Sequence, residues 1–138
     1  DERARTRILD EALARRLCNM LEGVVREGTG ELARIDGFRT AGKTGTAQRV
    51  FDGSFDDTHH IAWFAGLLPM PEPRIAVVVA IEDPVRIDYW ASTVAAPVFA
   101  EIARASVSLL DFTPTESMSR DDPQIARSGS SSEEGGSA

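Results

Sequence analysis

Between residues 40 and 82 the chain carries three strand-like stretches with very little between them, and this run constrains the fold more than any other feature. Residues 40–51, 60–68 and 74–82 are rich in β-branched, aromatic and aliphatic side chains. An Asp52-Gly53 turn signal separates the first two, and Pro69 to Pro73 separates the second from the third. Connections this short cannot bring a chain back parallel to itself, which takes a crossover of about a dozen residues or more, so the three strands are predicted to form an antiparallel meander. Ile75 to Ile81 is the longest uninterrupted apolar run, at seven residues. That suits a buried strand and is far short of the roughly 20 residues that cross a bilayer, and no stretch has the form of a signal peptide.

A helix is expected on either side of the sheet. Leu13, Leu17, Met20, Leu21, Val24 and Val25 recur at helical spacing, with Asp10 placed to cap the start and Gly28-Thr29-Gly30 to end the run, which predicts a helix over about 11–27. Its Arg and Glu residues fall mostly on the opposite, solvated face. Residues 93–105, with Val94, Val98, Phe99 and Ile102 apolar, form a second amphipathic helix suited to covering one sheet face. No internal repeat is apparent. The order helix, three antiparallel strands, helix is of the α+β class.

Charge and composition exclude some functions and divide the chain. Lys and Arg total 15 against 22 Asp and Glu, for a net charge of −7, which argues against nucleic acid or an anionic membrane surface as the main partner. From Ser128 onward Ser and Gly fill eight of eleven positions. Residues 112–138 are therefore expected to be a flexible Ser/Gly-rich tail, with the folded part in residues 1–111. Cys18 is the single cysteine; it rules out an internal disulfide and is expected to pack as a small hydrophobe.

The segment Gly37-Phe38-Arg39-Thr40-Ala41-Gly42-Lys43-Thr44 satisfies the phosphate-loop pattern G-x-x-x-x-G-K-[ST]. Such a loop must leave a buried strand and open a helix whose N-terminal amides hold the phosphates. Here Glu31 to Asp36 do not form a buried-strand pattern, and Gly45 onward runs through β-branched residues to a turn, which describes a hairpin. A P-loop nucleotide site is therefore disfavoured. The competing reading takes Lys43, Thr44, Gly45 and Thr46 as one unit at the start of an edge strand, suited to an acyl donor that ends in a carboxylate. An ammonium supplies positive potential, and two hydroxyls spaced two residues apart share a strand face. Gly45 between them presents no side chain to a ligand, and the Thr46 N–H is available as an oxyanion donor.

At this point the chain resembles a family. Ala41-Gly42-Lys43-Thr44-Gly45-Thr46-Ala47-Gln48 is similar to the K-T-G motif of penicillin-recognising serine enzymes, in the form carried by class B penicillin-binding proteins. Gly28-Thr29-Gly30 sits where that family has a Gly-Thr-Gly, His60 to Pro69 is similar to its second strand, and Pro73 to Ile81 to its third. Ile81-Glu82-Asp83-Pro84 and Ala96 to Ile102 resemble the cell-division branch rather than the elongation branch. Ala91-Ser92 departs from the family, which has Gly or Ser-Gly there. The implied fold is the C-terminal portion of a penicillin-binding, serine β-lactamase-like transpeptidase domain.

The resemblance also implies a reaction. A complete enzyme of this family needs S-x-x-K, whose Ser is acylated, and S-x-N. The chain has one Lys, Lys43, and one Asn, Asn19, which has Leu17 two positions before it, so neither motif is present and the chain alone is expected to be inactive. It would supply the K-T-G wall to an upstream part of the same domain carrying the nucleophilic Ser. That Ser would attack the penultimate D-Ala carbonyl of a peptidoglycan stem peptide, and an amine of a neighbouring stem would resolve the acyl-enzyme. Lys43 would bias the Ser of S-x-N and attract the substrate carboxylate, Thr44 and Thr46 would bind it, and the Thr46 N–H would join the oxyanion hole. β-Lactams would acylate the same Ser. The family further implies divisome partners, no cofactor, and a place on the outer face of the bacterial inner membrane, anchored by a segment outside this chain. A penicillin-sensing receptor domain or a binding module without chemistry would carry the same wall.

Other candidates have plainer explanations. His59 and His60 are adjacent on a strand and point to opposite faces, which disfavours a metal site. Glu82-Asp83 runs into Pro84 and is expected to be a solvated turn, and Tyr89 and Trp90 are expected to pack against the sheet rather than line a substrate rim.

Overall fold

The structure, a computed structural model, describes residues 6–51, 54–84 and 90–115. Helix α1 (Glu11–Glu27) is followed by a short 3-10 turn (Glu31–Ala33), strands β1 (Ala41–Phe51), β2 (Ser54–Leu68) and β3 (Ile75–Glu82), and helix α2 (Ala91–Leu109). The strands form one antiparallel sheet in the order β1-β2-β3, with β1 at an edge. The expected meander is thus present. The Asp52-Gly53 turn signal lies outside the described residues.

Local chemistry sets the ends of α1. The Asp10 carboxylate accepts the Leu13 N–H at 2.8 Å, as an N-cap should. At the other end the N–H groups of both Gly28 and Gly30 donate to the Val24 carbonyl, at 3.1 and 3.0 Å, so the glycine pair turns the chain back over the last helical turn. α2 begins two residues earlier and ends four later than expected; Val107, beyond the expected end, is buried.

One face of the sheet packs against α2. Ala62, Phe64 and Leu68 of β2 and Val79 of β3 meet Ala95, Ala96, Phe99, Ala103 and Val107 of the helix, and Val25 and Ala33 close the side. The helix presents mainly alanine here, which lets its backbone approach closely. The Phe64 and Phe99 rings lie 4.7 Å apart at 51°, and full burial of each contributes about 1.5–3 kcal/mol. Their fit depends on glycine. A Cβ on Gly66 would fall 2.5 Å from the Phe99 ring, and one on Gly42 would fall 2.6 Å from that of Phe64, so the strands leave slots that the rings occupy.

Arg39, just before β1, ties three parts of the chain together. Its guanidinium grips Glu22 of α1 through two bonds of 2.6 and 2.8 Å. Its N–H donates to the Thr115 hydroxyl at 3.0 Å, and its carbonyl accepts the Met70 N–H from the β2–β3 connection at 2.9 Å.

Several expectations need correction. Glu22 is buried rather than solvated, because Arg39 neutralises it. The apolar stripe of α1 is covered mainly toward its C-terminal end: Val25 is buried, while Leu13, Leu17 and Met20 are exposed. The folded part also continues past 111. Phe112 packs against the core beneath the Arg74 guanidinium, 4.7 Å from its ring centroid, and Pro114 lies against Gly37. Residues 116–138 lie outside the described residues. Cys18 is half-buried, and among the described residues no helix is long and apolar enough to cross a membrane.

Candidate active site

Four side-by-side positions of β1 make up the candidate site, and the sheet register sorts them by face. Thr44 lies opposite Phe64 and Thr46 opposite Ala62, both buried residues of the α2 side. Lys43 lies opposite Ala65 and Gly45 opposite Trp63, on the side where Trp63 is exposed. The two hydroxyls therefore share a face, as strand alternation requires, and Lys43 begins on the other one.

The open edge of β1 brings Lys43 back to Thr44. The Lys43 side chain curls along it so that Nζ donates to the Thr44 carbonyl at 2.8 Å and stands 3.5 Å from Thr44 Oγ1. Among the described residues no carboxylate ion-pairs with Lys43, so its ammonium is left to attract an anion from outside.

Each hydroxyl has an internal neighbour, which sequence reasoning missed. Thr46 Oγ1 accepts the Ala91 N–H at 3.3 Å. This N–H opens α2, whose N-cap residue Trp90 makes no side-chain capping bond, so Thr46 serves as its cap from another element. A hydroxyl has two acceptor sites and one proton; with Ala91 as donor, Thr46 keeps its proton to give. Thr44 Oγ1 lies 2.8 Å from Thr29 Oγ1, at the turn that ends α1. The Gly-Thr-Gly signal marked that turn, but no spacing in the sequence indicates a contact across 15 positions.

Gly45 differs from the other strand glycines. A Cβ there would meet only Trp63 Cβ, at 3.9 Å, among the described residues, so packing among them does not require glycine at this position.

The remaining candidates resolve otherwise. Gly42, Lys43 and Thr44 lie within a strand, with no helix after them, so the phosphate-loop reading fails for want of helix-terminal amides. The Glu82-Asp83 turn is not simply solvated: Asp83, at φ 45°, is half-buried, donates its N–H to the His60 carbonyl at 2.8 Å and accepts the His60 N–H at 3.2 Å, fastening the ends of β2 and β3. Trp90 is exposed rather than buried against the sheet, with its carbonyl accepting from the Thr93 and Val94 N–H groups. Tyr89 lies outside the described residues. His59 and His60 sit on β2, and no group of three or more metal-ligating side chains occurs among the described residues.

Comparison with known proteins decides the family. Residues 2–104 match the penicillin binding protein transpeptidase domain. The chain belongs to the penicillin-binding protein transpeptidase family. It is 39% identical over 111 residues to stage V sporulation protein D of Bacillus subtilis, covering 80% of this chain and 17% of that protein. It is 37% identical over 109 residues to the peptidoglycan D,D-transpeptidase FtsI of Escherichia coli, covering 78% and 18%. The apo transpeptidase domain of Burkholderia pseudomallei penicillin-binding protein 3 superposes with a TM-score of 0.73 at 34% identity, over 80% of this chain and 34% of that one. Penicillin-binding protein 3 of Mycobacterium tuberculosis, solved with ampicillin, superposes at 0.70 and 29% identity, over 79% and 26%. The chain thus spans under a fifth of these curated relatives and about a third of the solved transpeptidase domain. The three-stranded antiparallel sheet with its helices is the C-terminal part of the penicillin-binding transpeptidase fold.

Proposed function

We propose that this chain forms one wall of a peptidoglycan D,D-transpeptidase active site, whose remainder, including the acylated Ser, lies on residues outside it. The observation that carries the reading is the edge of β1, where an ammonium without an ion-pair partner among the described residues lies against the Thr44 hydroxyl, with the Thr46 hydroxyl two positions on and, between them, a glycine that packing among those residues does not require.

The chemistry follows from these groups. The Ser oxygen attacks the penultimate D-Ala carbonyl of a stem peptide and loses its proton to a base outside this chain. The tetrahedral oxyanion takes a hydrogen bond from the Thr46 N–H, one of two donors in such a hole. D-Ala departs with a proton on its nitrogen, leaving an ester, and the amine of a neighbouring stem attacks that ester to form the cross-link and free the Ser. Lys43 supplies positive potential for the terminal carboxylate and for proton transfer in the wall, while Thr44 and Thr46 donate hydroxyl protons to the carboxylate. A β-lactam places its own carboxylate and carbonyl in the same positions and leaves an ester that resolves slowly. Septal rather than elongation synthesis is favoured by Ile81-Glu82-Asp83-Pro84 and by the α2 residues Ala96 to Ile102. That role implies divisome partners and a location on the outer face of the inner membrane.

The test uses a complete domain that includes this chain, incubated with labelled penicillin and analysed by denaturing mass spectrometry. Label is expected on a Ser outside residues 1–138. Lys43→Ala should lower the second-order acylation rate about 10²-fold or more, and Thr46→Val about tenfold. Unchanged rates in both variants would overturn the proposal. Fast release of the label by a peptide acceptor distinguishes a transpeptidase from a penicillin sensor.

A further inference from the structure

We infer that Thr29 is a positioning residue for the carboxylate-binding wall and acts through the Thr44 hydroxyl. The inference deepens the transpeptidase reading and rests on it. The two oxygens are 2.8 Å apart, an ordinary separation for an O–H···O bond. Each hydroxyl has one proton and two lone pairs, so the bond can run in either direction.

The surroundings give each direction a use. The Lys43 ammonium, 3.5 Å from Thr44 Oγ1, is a donor only, so the Thr44 oxygen turns a lone pair toward it. One proton remains on Thr44. With the site empty, that proton goes to Thr29. When a carboxylate arrives, the Thr44 proton turns to it, and Thr29 turns its own proton onto Thr44. The pair reverses, no hydrogen bond is lost, and Thr44 Oγ1 stays in place. An anion, as a pure acceptor, drives this reversal; a neutral donor at the same position does not.

Thr29 is held firmly enough for the task. Its neighbours Gly28 and Gly30 both bond to the Val24 carbonyl, and a Cβ on either would stand 3.0 or 3.1 Å from that oxygen. Thr29 therefore carries the side chain of a turn whose flanks are pressed against α1, and its β-branch restricts χ1.

The experiment measures acylation of the complete domain by a carboxylate-bearing penicillin, separating affinity for the non-covalent complex from the rate of the acylation step, with thermal unfolding as a control. Thr29→Val should weaken the non-covalent complex about tenfold and leave the unfolding midpoint in place. Thr29→Ser, which keeps the hydroxyl, should restore affinity to within about twofold of the parent. In a Thr44→Val background, Thr29→Val should cost nothing further. A full additional loss in that background, no loss from Thr29→Val alone, or failure of Thr29→Ser to restore affinity would each overturn the inference. If Thr44→Val and Lys43→Ala are also without effect, the transpeptidase reading of the wall falls with it; if only Thr29→Val is silent, that reading stands.

Discussion

A methyl group added at Gly66 and one added at Gly45 meet opposite surroundings, although both glycines lie in the same sheet. The first falls 2.5 Å from the Phe99 ring and the second only 3.9 Å from Trp63 Cβ. Gly66→Ala should therefore destabilise the domain by about 1–3 kcal/mol, as overpacked cores do, while Gly45→Ala should change stability by no more than about 0.5 kcal/mol. Urea unfolding of the two variants checks both, and Gly45→Ala should still slow acylation by penicillin if a ligand approaches that backbone. From sequence alone both are strand glycines, and only the K-T-G context separates them. That Thr44 and Thr46 share a face is legible because strand alternation fixes it, with Lys43 starting on the other. The hydroxyl pair of Thr29 and Thr44 is not, because a contact across 15 positions leaves no periodic trace. The burial of Glu22 was hidden for a related reason: a charged residue on an amphipathic helix reads as solvated until its partner is seen.

At the scale of elements, the ends of α1 were readable because a side-chain cap and a glycine turn are local chemistry, and Asp10 and Gly28 perform both. β2 was harder. It begins at Ser54 rather than near 60, and its first half, Ser54 to His59, is mostly polar, so pairing with β1 makes it a strand where alternation does not. The register of that pairing shifts between Gln48 and Arg49, which no sequence signal announced. The bond between elements that matters most is the two-pronged grip of Arg39 on Glu22. Glu22→Ala removes both of these bonds, and with Arg39 about a third exposed it should cost about 1–2 kcal/mol. Glu22→Gln should cost less, since it keeps one acceptor for the guanidinium. Chemical unfolding of a domain carrying each variant orders the two; equal stability of Glu22→Ala and the parent would show that α1 is held by packing alone.

At the scale of the molecule, α+β architecture and strand order followed from short connections and a single apolar run, whereas the cover over α1 could not be read. Leu13, Leu17 and Met20 repeat at helical spacing and so predict a buried stripe, yet all three are exposed. An apolar stripe left open to water favours association with another apolar surface. The 138-residue chain on its own should accordingly self-associate, and Leu17→Glu with Met20→Glu should shift it toward monomer in sedimentation velocity. A parent chain that is monomeric at all concentrations would contradict this.

Arg39 gathers α1, the β2–β3 connection and the segment after α2 onto one residue four positions before Lys43. Tension applied beyond Thr115 would then be borne at the root of β1, short of the strand's working edge.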